Sequence, residues 1–493
     1  MRLPTFRLGL FKYDLTASLV VFLVALPLCV GVAVASGVPA ELGLITGIVG
    51  GLVTGALPGS SLQVSGPAAG LTVLVAETVQ RFGLPVLGVV VLATGLLQLL
   101  LGALRWGRWF RAISVAVVEG MLAGIGLVII AGQLYALADR PAPASGVDKI
   151  LGLPGLLSRL VATPSAGYSF AIGAGTIAVI VLWQRLPARV RVVPGALVAV
   201  LLATVAAWLL PQPVKKVEVK GLLDAIQPPG TGVLDQFTPA LIVTIVAFTL
   251  VASAESLFSA AAVDRLHDGP RTDYDKELMA QGAGNTLCGA LGALPMTAVI
   301  VRSATNVQAG ARTKASRVLH GVWLLLFAAL LPAALGVIPV AALAGVLVHA
   351  GFKLLPFKHI GPLWREHRSE AVVLAATAVA IVTVNMFEGV LIGLGLSVVK
   401  TAWETSRLHV ETEEQPGGAV RVRLTGNATF LRLPTILDAL EAQPADRVVE
   451  LDLTGLRHLD HACQTALNTW AERHNAHAPE AVRLIPALAG PEA

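Results

Sequence analysis

From Leu15 to about Val399 the chain is a succession of apolar runs, and several, such as Leu15 to Ala35 and Trp323 to Val340, reach the ~20 residues that span hydrocarbon. Only 14% of its 493 residues are charged and 55% are hydrophobic, with a mean hydropathy of +0.75, too little charge to cover a soluble protein of this length. The sequence therefore predicts an α-helical polytopic membrane protein. Met1 to Lys12 is basic, but the hydrophobic run behind it is long and lacks an Ala-x-Ala cleavage site, so it reads as a first transmembrane helix. The net charge of +5 is explained by positive-inside loops and gives no reason to expect nucleic acid. Cys29, Cys288 and Cys463 are scattered without CxxC or Cys/His spacing, so neither a metal centre nor a disulfide framework is implied.

Splitting the apolar runs at charged or Pro/Gly-rich breaks predicts about fourteen segments. Basic clusters fall after every second one: Arg2/Arg7/Lys12, Arg105/Arg108/Arg111, Arg185/Arg189/Arg191, Arg312/Lys314/Arg317 and Lys353/Lys358/Arg365/Arg368. That alternation predicts both termini in the cytoplasm, with the protein multi-pass in the inner (plasma) membrane. The long Pro/Gly-rich loops Tyr135 to Ser169 and Pro211 to Gln236 read as extracytoplasmic. The second divides the region into two halves of seven segments, about 14–210 and 237–405. An odd number per half forces the second to be inverted in the membrane. After Lys400 charge becomes frequent and apolar runs short. Val420 to Leu424 and Val448 to Leu453 alternate like strands, whereas Pro434 to Leu440 and Cys463 to His474 read as helices. The expectation is a transporter domain over 1–405 and a small cytoplasmic α/β domain over 406–493.

Third in each half stands a stretch too short for a span: Ser65 to Gly70 running into Leu71 to Val79, and Leu294 to Thr297 running into Ala298 to Val307. Each opens with Pro among small residues, the pattern of a half-helix that starts near the bilayer midplane. A helix N-terminus carries unpaired N–H groups and roughly half a positive charge, so two facing N-termini make an anion site without a basic side chain. The substrate-binding residues predicted on this ground are Gly66, Pro67, Ala68, Ala69 and Gly70 on one side. On the other they are Thr297, Ala298, Val299 and Arg302, the arginine one to two turns into the second half-helix. Close packing of small residues is the alternative use of such a stretch. An arginine at membrane depth is costly, and its field would favour an anion without touching it. Glu255, in an otherwise apolar run from Phe248 to Phe258, is the predicted coupling-ion residue, able to carry a proton or to help ligate sodium. Ser259 shares its helical face, and Glu41, near the outer mouth, is a further proton-linked group.

At these residues the chain resembles the SulP anion permeases, solute carrier family 26. The resemblance is carried by Pro39-x-x-x-Gly43-Leu44, Gly59 to Ala69, Glu255-Ser256-Leu257, Lys276 to Gly282 with Asn285, and Arg302-Ser303 with Asn306 and Gly310 to Thr313. It implies a core domain bearing the half-helices, a gate domain, alternating access, a homodimer, and a C-terminal STAS domain with a possible cytoplasmic protein partner. The usual Asp-Ser-Ser-Gly-like helix start of that domain reads Asp460-His461-Ala462-Cys463 here, so its phosphorylatable serine is missing. Two departures bear on substrate. Pro27 is followed by Leu28 where sulfate-type members carry Gln, and Glu255, Ser259 and Ala68 stand where sodium-coupled bicarbonate members tend to have Asp, Thr and Thr. Fewer oxygen ligands weaken a sodium site. The reading that results is proton-coupled symport of a carboxylate or dicarboxylate such as fumarate, or of a small inorganic anion. Its alternatives are sodium-coupled bicarbonate or sulfate transport and an uncoupled exchanger or channel. A nucleobase-cation symporter would share the half-helices but not the STAS-like tail or Arg302. With no nucleophile–base pair, metal motif or phosphate loop, an enzyme is not expected, and no cofactor is implied.

Overall fold

The computed structural model describes residues 8–485 apart from 113, 144, 188–189, 191–192, 210–213, 220, 230–237, 417, 445–446 and 477–481. The chain divides into two compact units, Met1–Leu394 and Gly395–Ala493. The first opens with α1 (Leu8–Ala35), α2 (Ala40–Val49) with a wider turn to Thr54, the short strand β1 (Ser65–Pro67), α3 (Thr72–Phe82), α4 (Leu84–Ala103) and α5 (Val115–Leu137). Two short helices, α6 (Gly146–Leu151) and α7 (Leu153–Ala162), lead to α8 (Pro164–Trp183) and α9 (Gly195–Leu209). There follow α10 (Pro239–Asp264), α11 (Tyr274–Ala290), β2 (Met296–Ala298), α12 (Ile300–Gln308), α13 (Ala315–Leu330), α14 (Val340–Leu354), the exposed α15 (Phe357–Glu366), α16 (Arg368–Thr383) and α17 (Met386–Thr405). With α14 and α15 taken together as one stretch, Val340–Glu366, seven helices among the described residues are long and apolar enough to cross a membrane, and three shorter apolar ones stand beside them. The division between the two units falls inside α17, ahead of position 406.

The packing repeats itself. α4 lies against α11 as α13 lies against α2; α1 packs on α13 as α10 packs on α4; and α16 packs on α5 as α8 packs on α14. Likewise α1 touches β1 and α10 touches β2.

Three sequence expectations differ from what is seen. The half-helices do not start at Pro67 and Pro295: a residue without an N–H also fits the end of a strand, and the chain here is extended through Ser65–Pro67 and Met296–Ala298 before either helix begins. Arg302 accordingly sits in the first turn of α12, not deeper. Trp323 to Val340 is not one span, because α13 ends at Leu330, Pro332 starts a separate turn, and α14 begins only at Val340. The predicted loop Tyr135 to Ser169 contains α6, α7 and the start of α8.

The second unit carries β3 (Leu408–Glu414), β4 (Val420–Ala428), β5 (Val449–Leu459) and β6 (Arg483–Ile485) in the spatial order β3-β4-β5-β6, with helices α18 (Leu433–Glu441) and α19 (His461–Asn475). β3 and β4 are antiparallel, whereas β4–β5 and β5–β6 are parallel. Alternate residues Val420, Val422 and Leu424 of β4 are buried with Leu451, Ile436 and Leu467, as a half-buried strand requires. Asp460 caps α19, its carboxylate accepting from the Cys463 N–H at 2.8 Å.

Candidate functional site

The two short strands cross and pair antiparallel, Ser65 opposite Ala298, Gly66 opposite Thr297 and Pro67 opposite Met296, and all six residues are buried. An isolated two-stranded ladder is marginal by itself. Polar side chains from the surrounding helices hold this one. Asn285 donates to the Met296 carbonyl at 3.0 Å and accepts from the Met296 N–H at 2.8 Å, and it also donates to Gln98 at 2.8 Å. The Ser256 hydroxyl accepts from the Ala298 N–H at 3.2 Å, while Gln63 donates to the Ser256 carbonyl at 2.8 Å. Ser303 Oγ accepts from the Val64 N–H at 2.9 Å, Asn306 donates to the Leu62 carbonyl at 2.9 Å, and Gln281 donates to Ser65 Oγ and Glu277 Oε1, both at 2.7 Å. The crossing is thus fixed from both halves of the unit.

Past the crossing the chains turn into helices. Neither α3 nor α12 has a side-chain cap; a short 3₁₀ turn, Ala69–Leu71, leads into α3, with the Leu71 N–H donating to the Ala68 carbonyl at 3.2 Å. A cavity of about 1150 Å³ reaches this point and is lined by Ala69, Gly70, Val299, Ile300, Glu255 and Ser259. Leu28 and Val24 of α1 complete an apolar wall, and Arg265, Arg271, His349 and Lys353 border the same cavity. Five of the residues predicted from sequence therefore meet in one cavity: Ala69, Gly70, Val299, Glu255 and Ser259. Gly66, Pro67, Ala68, Thr297 and Ala298 lie in or beside the buried crossing and do not line it.

The two intramembrane charges sit on glycines. A Cβ on Gly66 would collide with Nη1 of Arg302, so the guanidinium occupies the space that a side chain would take. Arg302 is 1% exposed; its Nη2 lies 3.5 Å from the Pro67 carbonyl, and Nε and Nη1 have no hydrogen-bond partner among the described residues. Arg302, a substrate-binding candidate by sequence, lies behind the crossing with the backbone of Gly66 and Pro67 against it, and does not line the cavity. A Cβ on Gly70 would lie 2.8 Å from both carboxyl oxygens of Glu255. That carboxyl also faces the Thr297 hydroxyl, and Oε2 is a buried atom without a hydrogen-bond partner among the described residues. Glu41 is elsewhere: 2% exposed, it accepts from the Gly221 N–H at 3.2 Å and does not border the Glu255 cavity.

The supporting residues Gln98, Ser256 and Gln281 were not predicted as parts of the site. The signal was present, since amide side chains inside apolar helices are costly unless hydrogen-bonded.

The sulfate permease family model matches residues 11–377. The chain belongs to the sulfate permease family. A putative sulfate transporter of Bacillus subtilis, YvdB, is 28% identical over 97% of this chain and 92% of its own length. The bicarbonate transporter BicA of Picosynechococcus is 26% identical, covering 84% of this chain and 74% of its own. Among solved structures, the transmembrane domain of a cyanobacterial BicA matches with a TM-score of 0.66 at 23% identity, over 79% of this permease and all but 3% of that domain, its own coverage being 97%. Murine solute carrier 26 family member A9, titled as inward-facing, matches with a TM-score of 0.77 at 15% identity over 98% of this chain and 86% of its own. This permease is accordingly a multi-pass anion transporter and not an enzyme, with the helical fold of those membrane proteins.

Proposed function

We propose that this permease is a proton-coupled symporter of a carboxylate or dicarboxylate anion, working by alternating access. The observation that carries the reading is the meeting, at the inner end of one large cavity, of uncapped helix starts and the Glu255 carboxyl that abuts Gly70. An anion drawn to the N–H groups of Ala69, Gly70 and Ile300 would be repelled by an ionised Glu255. Binding a proton there removes the repulsion, so anion and proton favour one another's binding, which is the thermodynamic content of symport. Arg302 contributes a fixed positive field from behind the strands. The apolar wall of Leu28 and Val24 suits an organic anion better than a strongly hydrated one.

On this reading both halves contribute seven segments, fourteen in all, related as an inverted repeat by the doubled packing pattern described above. On the same reading the cavity opens to the cytoplasm and both termini lie there, in the inner membrane, which the basic residues bordering the cavity support. The C-terminal sheet-and-helix unit is a STAS domain, the protein acts as a homodimer, and the STAS surface is available to a cytoplasmic partner. Sodium-coupled bicarbonate transport is the second reading, favoured by the BicA relatives.

Uptake of radiolabelled fumarate, succinate, bicarbonate, sulfate and chloride into proteoliposomes separates the two. Electroneutral anion–proton entry gains nothing from voltage, whereas a pH gradient supplies about 1.4 kcal/mol per unit. Accumulation of a carboxylate above equilibrium under a pH gradient alone is the expected result. Accumulation of bicarbonate under a sodium gradient only would overturn it.

A further inference from the structure

Between α14 and α16 the chain changes character. Leu355 is extended, Pro356 interrupts the helical path, and α15 starts afresh at Phe357 with none of its residues buried. Its side chains fall on three stripes. Phe357, Ile360 and Trp364, three and four residues apart, are 57%, 42% and 53% exposed. The Phe357 ring lies 5.0 Å from that of Phe352, itself exposed near the end of α14, so the apolar stripe continues onto the preceding helix. Lys358 and Arg365, seven residues apart, share a second stripe, and Arg368 follows at the start of α16. The third stripe holds His359, whose Nδ1 lies 2.8 Å from Glu119 Oε1 of α5; next to it Leu363 packs on Ala116, Val117, Val373 and Leu374.

This helix is therefore anchored to the unit along one side and bare along the other two. Fully in water, its apolar stripe would stay wet; fully in hydrocarbon, its cations would be stranded. A short helix with an aromatic stripe beside a basic one fits the plane where acyl chains meet headgroups. Long cationic side chains there reach towards the phosphates while their stems stay among apolar groups. The side chains of Lys358, Arg365 and Arg368 form no ion pair or hydrogen bond among the described residues, and α15 carries one acid, Glu366, which falls on the His359 side of the helix. The exposed surface thus has a surplus of unpaired positive charge set against an apolar face, and its electrostatic complement is an anionic lipid surface.

We propose that α15 is a docking surface for anionic phospholipid headgroups, with Lys358, Arg365 and Arg368 as the phosphate partners and Phe357, Ile360 and Trp364 as the anchor among acyl chains. Through the His359–Glu119 contact the docked helix bears on the wall of the large cavity, which Glu119 lines.

The test needs no transported anion. Detergent-solubilised full chain is titrated with phosphatidylglycerol, with phosphatidylcholine and with inorganic phosphate, bound lipid being read by native mass spectrometry and stabilisation by the unfolding temperature. Phosphatidylglycerol is expected to bind and stabilise, phosphatidylcholine less so, and inorganic phosphate not at all. Lys358→Gln, Arg365→Gln and Arg368→Gln should each weaken phosphatidylglycerol binding about fivefold, the contribution of one cation at an anionic lipid surface. Arg365→Lys should retain it, as should Arg457→Gln, which removes an exposed cation of the C-terminal unit. Ile360→Ser and Trp364→Ser should weaken binding of both lipids alike. Phosphatidylglycerol affinity unchanged in all three glutamine variants, or equal affinity for the two lipids, overturns the proposal. A response to inorganic phosphate as large as to phosphatidylglycerol would mean a free-anion site and overturns it too. So would loss of dimer in Ile360→Ser and Trp364→Ser with lipid binding intact, which would give the apolar stripe to a second copy of the chain.

Discussion

The two arms of the crossing have nearly the same backbone and opposite chemistry. Both are three-residue strands leading into short helices without side-chain caps, and each packs on the corresponding long helix, β1 on α1 and β2 on α10. The first arm contributes glycines. The second half of the unit contributes the charges that rest on them, Arg302 over Gly66 and Glu255 over Gly70. Two similar arms can thus differ in chemistry: one supplies closely approached backbone, and the other half of the unit supplies the two buried charges that approach it. Because the two glycines host different charges, substitutions at each should fail in different ways.

The largest effect is expected from Gly66→Ala, whose added methyl takes the place of the Arg302 guanidinium and forces it to move. Displacing positioned groups by about an ångström costs on the order of 100-fold in rate, so transport should fall by about that factor in protein that still elutes as folded. Near-normal rates would mean that Arg302 moves without consequence and that the field argument is wrong. Glu255→Gln touches the other charge and should leave anion counterflow intact while the accumulation driven by a pH gradient vanishes. Retained proton-driven accumulation would remove Glu255 from coupling. Asn285→Ala attacks the frame common to both arms, removing the side-chain partner of the Met296 N–H and carbonyl and of Gln98 Oε1. A buried polar group so stranded costs about 1–3 kcal/mol, to be read as a lowered denaturation midpoint, with unchanged stability contradicting the role assigned to Asn285.

The smallest effect on transport belongs to the C-terminal sheet, which serves as the contrast. There the Thr454 hydroxyl and N–H donate to Asp452 Oδ1 at 2.6 and 3.0 Å, and Arg423 donates to Oδ2 at 3.1 Å. These contacts, the Thr454 hydroxyl first, hold the Asp452 carboxyl below its ordinary range. A depressed carboxylate stabilises the fold above its unfolded value of about 3.9 and loses that contribution as pH falls through the folded one. The unfolding temperature of this unit in the full chain should therefore drop below pH ~4, and Asp452→Asn should flatten that dependence while leaving transport unchanged.

Much of the fold was legible before any coordinates. Apolar runs located α1, α4, α5 and α10 because a membrane span needs length and little else. Period-two burial located β4 because one face of a strand must be dry. Proline was the misleading signal: Pro67 and Pro295 read as helix starts, yet their missing N–H is equally at home at the end of an extended segment, and only the partner strand decides between the two. The run from Trp323 to Val340 was apolar throughout, and hydropathy carries no information about the break at Leu331 and Pro332.

For the site the division is sharper. Residue type and position in the sequence determined that Glu255 and Arg302 are buried charges needing a reason, and that the small residues from Gly66 to Gly70 allow close approach. Tertiary structure decided that Glu255, Ala69, Gly70, Val299 and Ser259 share a cavity, whereas Arg302 stands behind the strands and Glu41 holds a loop. The physical reason is the same in each case. Burial cost is a property of the residue and its local run, but which atom meets that cost depends on a partner from the other half of the chain, and distance along the chain does not encode it.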